Sequence, residues 1–377
     1  MREAFLAVPA WLSGGSDRDV VIGLGVRCVR NLAEGVFPWR ASAAEAREVR
    51  DRLETALTAC WPGQRAFVPD ALDGDILSWC AELGWIEGGD AVDSGRSVHW
   101  LDGDGLTATL NDGDHLRLAA WSAGGDLEGP FGRLRAADTE LETVLDWAAN
   151  LERGYLCARA EDTGFGLSVA ARVFLPGIMA AGMFERVAAG LNSSGVRAVP
   201  EAAGGADERE TAVGLDGSET GGAAGAWLPF ATLTARAPAD AASEEEFLAG
   251  FADSLSRLIE GERRTRERLL AARRSAIEDA AYRAVALLTA ARRLGAAETD
   301  RLVAAARAGT AYGVGPAAPS PELAYDRLDR ARLVARPARL RCLAAGDGEA
   351  AGADGDDALD ALRARLVRET VAHYDIG

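Results

Sequence analysis

The character of the chain changes at Ser243, and that change limits the folds open to it. Before it, short β-rich and helical patterns alternate. After it, every patterned stretch has helical spacing. Ser243 and Glu246 have the spacing of a capping box, in which each side chain bonds the other's backbone amide. Phe247, Phe251, Leu255, Leu258 and Ile259 then trace one helical stripe. Helical pattern continues over 269–294, stops at Gly295, resumes after Thr299 and returns at about 356–371. The order implies an α+β chain with a mixed region first and an all-helical region second.

Within the mixed region, residues 1–19 read as a short helix holding Trp11 and Leu12, ended by Ser13-Gly14-Gly15-Ser16. Residues 20–27 have a strand-like composition. Their Gly23-Leu24-Gly25 is not a dinucleotide fingerprint, because Cys28 takes the third glycine's place and no apolar-striped helix follows directly. Residues 42–62 pattern as an amphipathic helix. Residues 97–120 alternate like a hairpin that turns at Asp102-Gly103-Asp104-Gly105. Helix is expected over 139–151 and 178–191, and strand over 167–175 and 227–233. Residues 201–226 lack apolar periodicity and read as a mobile loop, and 344–357 as a disordered connector.

A length of 377 residues accommodates two domains. No apolar run approaches the ~18 residues of a membrane span, and no basic stretch leads into an apolar one near Met1, so a cytoplasmic location is expected. Five scattered cysteines and three histidines suggest reduced thiols and no metal site. A net charge of −17 argues against a nucleic-acid or anionic-membrane partner. All 41 cationic residues are arginine, so any anion site is built from guanidinium groups or backbone amides.

Residues 111–117 read Asn-Asp-Gly-Asp-His-Leu-Arg. The string resembles the N-E-E-D-H-[IL]-R motif of the ATP:guanido phosphotransferases. Residues 20–31 are similar to that family's V-L-S-S-R-I-R-L-A-R-N. Arg153-Gly154-Tyr155-Leu156 matches the R-G-Y-L that precedes its C-P-T-N-x-G-T-G-L-R-A-S-V. The helices from about 243 to 315 are similar to the bacterial protein-arginine kinase branch. The resemblance implies an antiparallel sheet flanked by helices over 20–264, preceded by an arm (1–19) and followed by a helical domain (265–377). It also implies ATP with Mg2+ as phosphoryl donor and protein arginine side chains as acceptor. Catalysis of that kind is alignment plus neutralisation of phosphate charge.

Carried over residue by residue, the family's phosphate-binding arginines fall on Gly25, Arg27, Arg117, Ser168 and Arg197. The catalytic glutamate falls on Gly113, and the second carboxylate on Asp216 in Leu215-Asp216-Gly217-Ser218-Glu219. The reactive cysteine falls on Arg159, followed by Ala160, Glu161 and Asp162. Arg172 lies four residues after Ser168 on the same strand face, so Arg172 and Arg159 are candidates to refill the cradle. In an extended segment, Asp112 and Asp114 point away from the face of Gly113. An R-D-x-x-R-A element that reads phosphoarginine has its partial counterpart at 359–364, with Asp360 and Arg363.

Each lost charge-assisted hydrogen bond removes about 1.5–3 kcal/mol, and a lost acid–base group costs about 10²–10⁴ in rate. The preferred expectation is a catalytically impaired, kinase-like protein that binds nucleotide, phosphoarginine or protein partners in protein quality control. The alternatives are an active protein-arginine kinase using Asp216, and a structural interaction protein without ligand. A homodimer stays open. On composition alone, Arg27, Arg117 and Arg197 are ordinary ion-pair partners in an acidic chain, and His115 is a structural hydrogen-bonding residue.

Overall fold

The computed structural model describes residues 6, 8–68, 74–86, 95–102, 105–202, 227–316, 318–347 and 355–372. Asp216, all but two residues of the expected loop at 201–226, and residues 348–354 of the expected connector lie outside them.

Eight strands form one antiparallel sheet: β1 (Val21–Arg30), β2 (Arg65–Phe67), β3 (Ser97–Asp102), β4 (Leu106–Asp112), β5 (Asp114–Ala123), β8 (Leu167–Phe174), β9 (Arg197–Ala202) and β10 (Trp227–Arg236). Their order is β2-β3-β4-β5-β1-β8-β10-β9. β6 (Ala149–Asn150) and β7 (Gly154–Tyr155) make a separate small hairpin. The helices are α1 (Ala43–Cys60), α2 (Gly74–Leu83), α3 (Glu128–Glu142), α4 (Pro176–Ala180), α5 (Phe184–Asn192), α6 (Glu244–Ala290), α7 (Ala296–Tyr312), α8 (Pro321–Val334), α9 (Pro337–Asp347) and α10 (Gly355–Val371).

The α+β order is the expected one, and several boundaries differ for physical reasons. Among the described residues of the arm, the helix formed is a 3-10 turn, Ala10–Leu12. Gly14 and Gly15, at φ +81° and +87°, cannot extend it. Residues 97–123 are a three-stranded meander rather than one hairpin, because Gly113 at φ +88° makes a second reversal between Asp112 and Asp114. The segment 111–117 is therefore strand, turn and strand, not one extended run. The helix expected over 139–151 lies earlier, at α3. Its successor is held by backbone pairing instead, with Ala148 N donating to Asn31 O at 2.7 Å and Ala33 N to Asp146 O at 2.9 Å. The helix expected over 178–191 is two, split at Gly182 with φ +63°.

Ser243 caps α6 by accepting from Glu246 N at 3.1 Å. The helix then runs 47 residues, through the expected boundary at 264/265, with non-helical dihedrals at Arg273. α2, α8 and α9 are additions to the helices read from the sequence.

The sheet has two covered faces. On one, Leu53 and Leu57 of α1, Leu134 and Leu141 of α3 and Phe251 and Leu255 of α6 pack on Leu24, Val26, Leu118 and Val169. On the other, a tryptophan-rich core joins Trp11, Trp79, Trp85, Trp100 and Trp121 to Phe174, Phe230, Ala304 and Ala308 of α7 and Cys342 of α9. The C-terminal helices have their own core around Val285, Leu288, Val303, Leu328 and Val367. No helix among the described residues is long and apolar enough to cross a membrane.

Candidate functional site

Strand register decides which of the candidate residues share a face. Arg27 on β1 pairs with Ser168 on β8, and Ser168 pairs with Arg236 on β10. One row away, Gly25 pairs with Trp121 and Ala170, and Ala170 pairs with Thr234, which pairs with Arg197 on the edge strand β9. Side chains alternate between faces, so directly paired residues and those two apart in a strand lie together. Gly25, Arg27, Ser168, Arg197 and Arg236 therefore share one face and one end of the sheet. Arg117 belongs to it too, two residues before Ala119, the partner of Arg27. Arg197 stands three strand spacings, about 14 Å, from β1.

The same face is partly filled from within. A Cβ placed on Gly25 falls 2.5 Å from the Trp121 indole. That indole is itself stacked on Trp11 at 5.3 Å between ring centroids. An arginine at position 25 has no room beside the ring.

Arg117 is buried, with its guanidinium bonded to the Asp112 carboxylate and to Trp85 O at 3.1 Å. Asp112 also pairs with Arg96 at 3.0 Å. Asn111, at φ +52°, turns the strand so that Asp112 reaches the Arg117 side, unlike the direction expected of an extended segment. Its amide donates to Ala46 O at 2.8 Å. Gly113 sits at the tip of this hairpin, exposed, with nothing near its missing Cβ.

Asp114 and His115 brace the loops around the hairpin. Asp114 accepts from Asn31 and from Ala158 N, both at 2.6 Å. His115 Nδ1 accepts from Leu32 N at 3.0 Å, so Nε2 carries the proton and donates to Val36 O at 2.8 Å. Burial lowers its pKa and keeps it neutral. Its structural reading holds.

The remaining candidates are dispersed. Arg172 donates to Glu82 O at 2.7 Å and lies over Trp121 at 5.4 Å. Burial pulls its pKa down to about 10. It sits four residues along β8 from Ser168, about 13 Å away. Arg159 is exposed at the start of the 3-10 turn Ala160–Asp162. Arg363 is buried in the helical region, donating to Leu294 O at 2.7 Å and Ala335 O at 3.1 Å and pairing with Asp360, so its fork closes helix ends.

Three residues gain a place here that the sequence did not suggest. Arg236 is the first, and Trp121 is the second. The third is Glu201 on β9, which accepts from Arg332 at 2.5 Å and Arg336 at 3.4 Å. Burial opposes its charge, but those guanidinium groups outweigh it and hold its pKa at about 2. Counting strand parity from Arg197 places Glu201 on the Arg197 face; only the fold supplies its partners.

Residues 88–206 match the model of the ATP:guanido phosphotransferase C-terminal catalytic domain. A protein-arginine kinase of Syntrophomonas wolfei is 27% identical over 383 residues, spanning 97% of this chain and 95% of that protein. The chain is similar to the ATP:guanido phosphotransferases. A second relative, a protein-arginine kinase of Symbiobacterium thermophilum, is 26% identical over 88% of this chain and 89% of its own. Among solved structures, the duplicated taurocyamine kinase of Schistosoma mansoni with bound transition-state-analogue components shares the fold. Its TM-score is 0.51 at 17% identity, over 68% of this chain. The chain spans about a third (35%) of that duplicated protein.

Proposed function

We propose that this chain is a non-catalytic protein-arginine kinase-like protein that has kept the fold and lost phosphoryl transfer. The observation that carries this reading is the filling of the position of a lost phosphate arginine, Gly25, by the Trp121 indole. Three further features support it. The hairpin carries Gly113 where the family places a carboxylate. Ser168 stands where it places an arginine. Arg117, though kept, is neutralised by Asp112 inside its own hairpin.

Phosphoryl transfer depends on aligning donor and acceptor and on spreading charge over several cations. The groups among the described residues do not fit a triphosphate with its metal. What the face offers is recognition, by a sheet end with Arg27, Arg197 and Arg236. Its partners are then proteins, through arginine side chains or their phosphorylated form; Asp360 and Arg363 are not offered for the latter, because the Arg363 fork closes helix ends.

Titration calorimetry with Mg-ATP tests this directly. The expected result is no saturable heat across roughly 1 μM–1 mM, the range of ordinary enzyme substrates. Saturable binding in that range, abolished by Arg27→Ala, overturns it. One observation favours the alternative of an active kinase. Relatives named protein-arginine kinases align along almost the whole chain, and Asp216, the second carboxylate candidate, would then be essential.

A further inference from the structure

The row Arg27–Ser168–Arg236 has a composition that the loss of one arginine does not explain. Ser168 is short and lies between two arginines on adjacent strands. Their Cα atoms are two strand spacings apart, about 10 Å. Side chains of arginine length on either side of a serine are long enough to reach one small volume. That arrangement suits a compact anion with several acceptor oxygens, because guanidinium forks make paired, charge-assisted bonds to phosphate.

An internal anion already stands there. Arg236 is paired with Glu161 at 2.8 Å and with Asp162 at 3.0 Å. Both carboxylates come from the 3-10 turn Ala160–Asp162, which rests on a tight base. Asp162 N donates to Arg159 O at 3.1 Å, and the Cys157 thiol donates to Asp162 O at 3.1 Å. Burial pushes the Cys157 thiol up to about 12, so it stays protonated and remains a donor. The Asp162 side chain is 13% exposed and that of Glu161 61%. One carboxylate is thus largely buried and the other largely exposed.

We propose that Arg27, Ser168 and Arg236 form a binding site for a phosphate-type dianion, held closed by Glu161 and Asp162. This rests on the reading of the face given above and adds two things to it. Arg236 is the substitute cation for the arginine missing at Ser168, and the turn 160–162 is an internal plug that competes with the ligand. The plug is electrostatic. It weakens with salt, and neutralising its carboxylates frees Arg236 without removing any cation.

The test is titration of inorganic pyrophosphate into the whole protein and into Glu161→Gln/Asp162→Asn, with circular dichroism confirming that the variant is folded. The double variant is expected to bind about tenfold more tightly than the original chain. Adding Arg236→Ala is expected to return it to the original affinity. Asp162→Asn alone serves as a milder variant and gives part of the gain. No gain in a folded variant, or a gain that survives Arg236→Ala, overturns the proposal.

Parallel titrations with inorganic phosphate and phosphoarginine identify the source of the dianion. Tighter phosphoarginine binding points to a modified protein and equal affinities to free phosphate; either order supports the site. A missing gain leaves the non-catalytic reading untouched. Turnover by the original chain overturns that reading without bearing on the plug.

Discussion

Gly25 and Trp121 are cross-strand partners, and the indole of one occupies the space that a side chain on the other would need. The pair links two positions that look separate in the sequence, Gly25, where the similar family motif has an arginine, and Trp121. The ring is held from behind by Trp11, whose turn packs beside the C-terminal helices, so the filled volume belongs to a continuous core.

This coupling is measurable. Gly25→Ala is expected to destabilise the fold by about 1–3 kcal/mol through overpacking, and Trp121→Ala by about 3–5 kcal/mol through a cavity. In the double variant the alanine occupies part of the vacated space, so the cost is less than the sum by at least about 0.5 kcal/mol. Urea denaturation of the four proteins reads it; strict additivity contradicts the contact.

Asp112 holds Arg117 and Arg96 together, and its side chain is 1% exposed. Asp112→Ala leaves two guanidinium groups without their carboxylate and is expected to cost about 3–5 kcal/mol. Chemical denaturation gives the number, and a loss below about 1 kcal/mol would place the pair among surface ion pairs.

The fold is expected to weaken in mild acid through His99. Its Nε2 meets Ser97 Oγ and its Nδ1 meets Gln64 Oε1, both at 2.8 Å. Burial, helped by the Arg50 guanidinium, holds its pKa down at about 4, against 6.5 for a free histidine. The unfolded chain therefore binds the extra proton first. The stability gained by keeping His99 neutral is fully present above pH 6.5 and is lost as pH falls from 6.5 toward 4. The loss approaches 2–3 kcal/mol on the order-of-magnitude conversion of pKa to free energy. Stability measured from pH 7 to pH 4 is expected to fall less steeply in His99→Gln; an unchanged slope contradicts this.

Glu201 joins the sheet edge to the helical region through Arg332, whose guanidinium also lies over Phe230 at 3.8 Å and bonds Asp300 at 3.1 Å. Arg332→Ala removes the ion pair and the stacking together. It is expected to lower amide-exchange protection in β9 at least tenfold, equivalent to about 1.4 kcal/mol. Unchanged protection shows that the helices are held by their apolar contacts alone.

The family and the α+β order were legible because ordered motifs fix strands and because 111–117 is local. What closes the site was not. Gly25 and Trp121 lie far apart in the chain, as do Ser168 and Arg236, and only sheet register makes them neighbours. α8 escaped the helical reading because its buried positions include Asp329 and Arg332, which hide an apolar stripe behind satisfied charges. β9 ends in the stretch read as a loop, since Pro200 and the glycines beyond it resemble loop composition. α3 was displaced because Gly129, Pro130 and Gly132 lower the propensity of its first turns.

The proposed loss of phosphoryl transfer is checked by incubating the purified chain with Mg-ATP and an arginine-rich protein, then measuring phosphoarginine by mass spectrometry under conditions that spare the acid-labile N–P bond. The predicted result is no phosphoarginine above the enzyme-free control. Phosphoarginine formed over repeated turnovers, and lost in Asp216→Ala, would contradict the account.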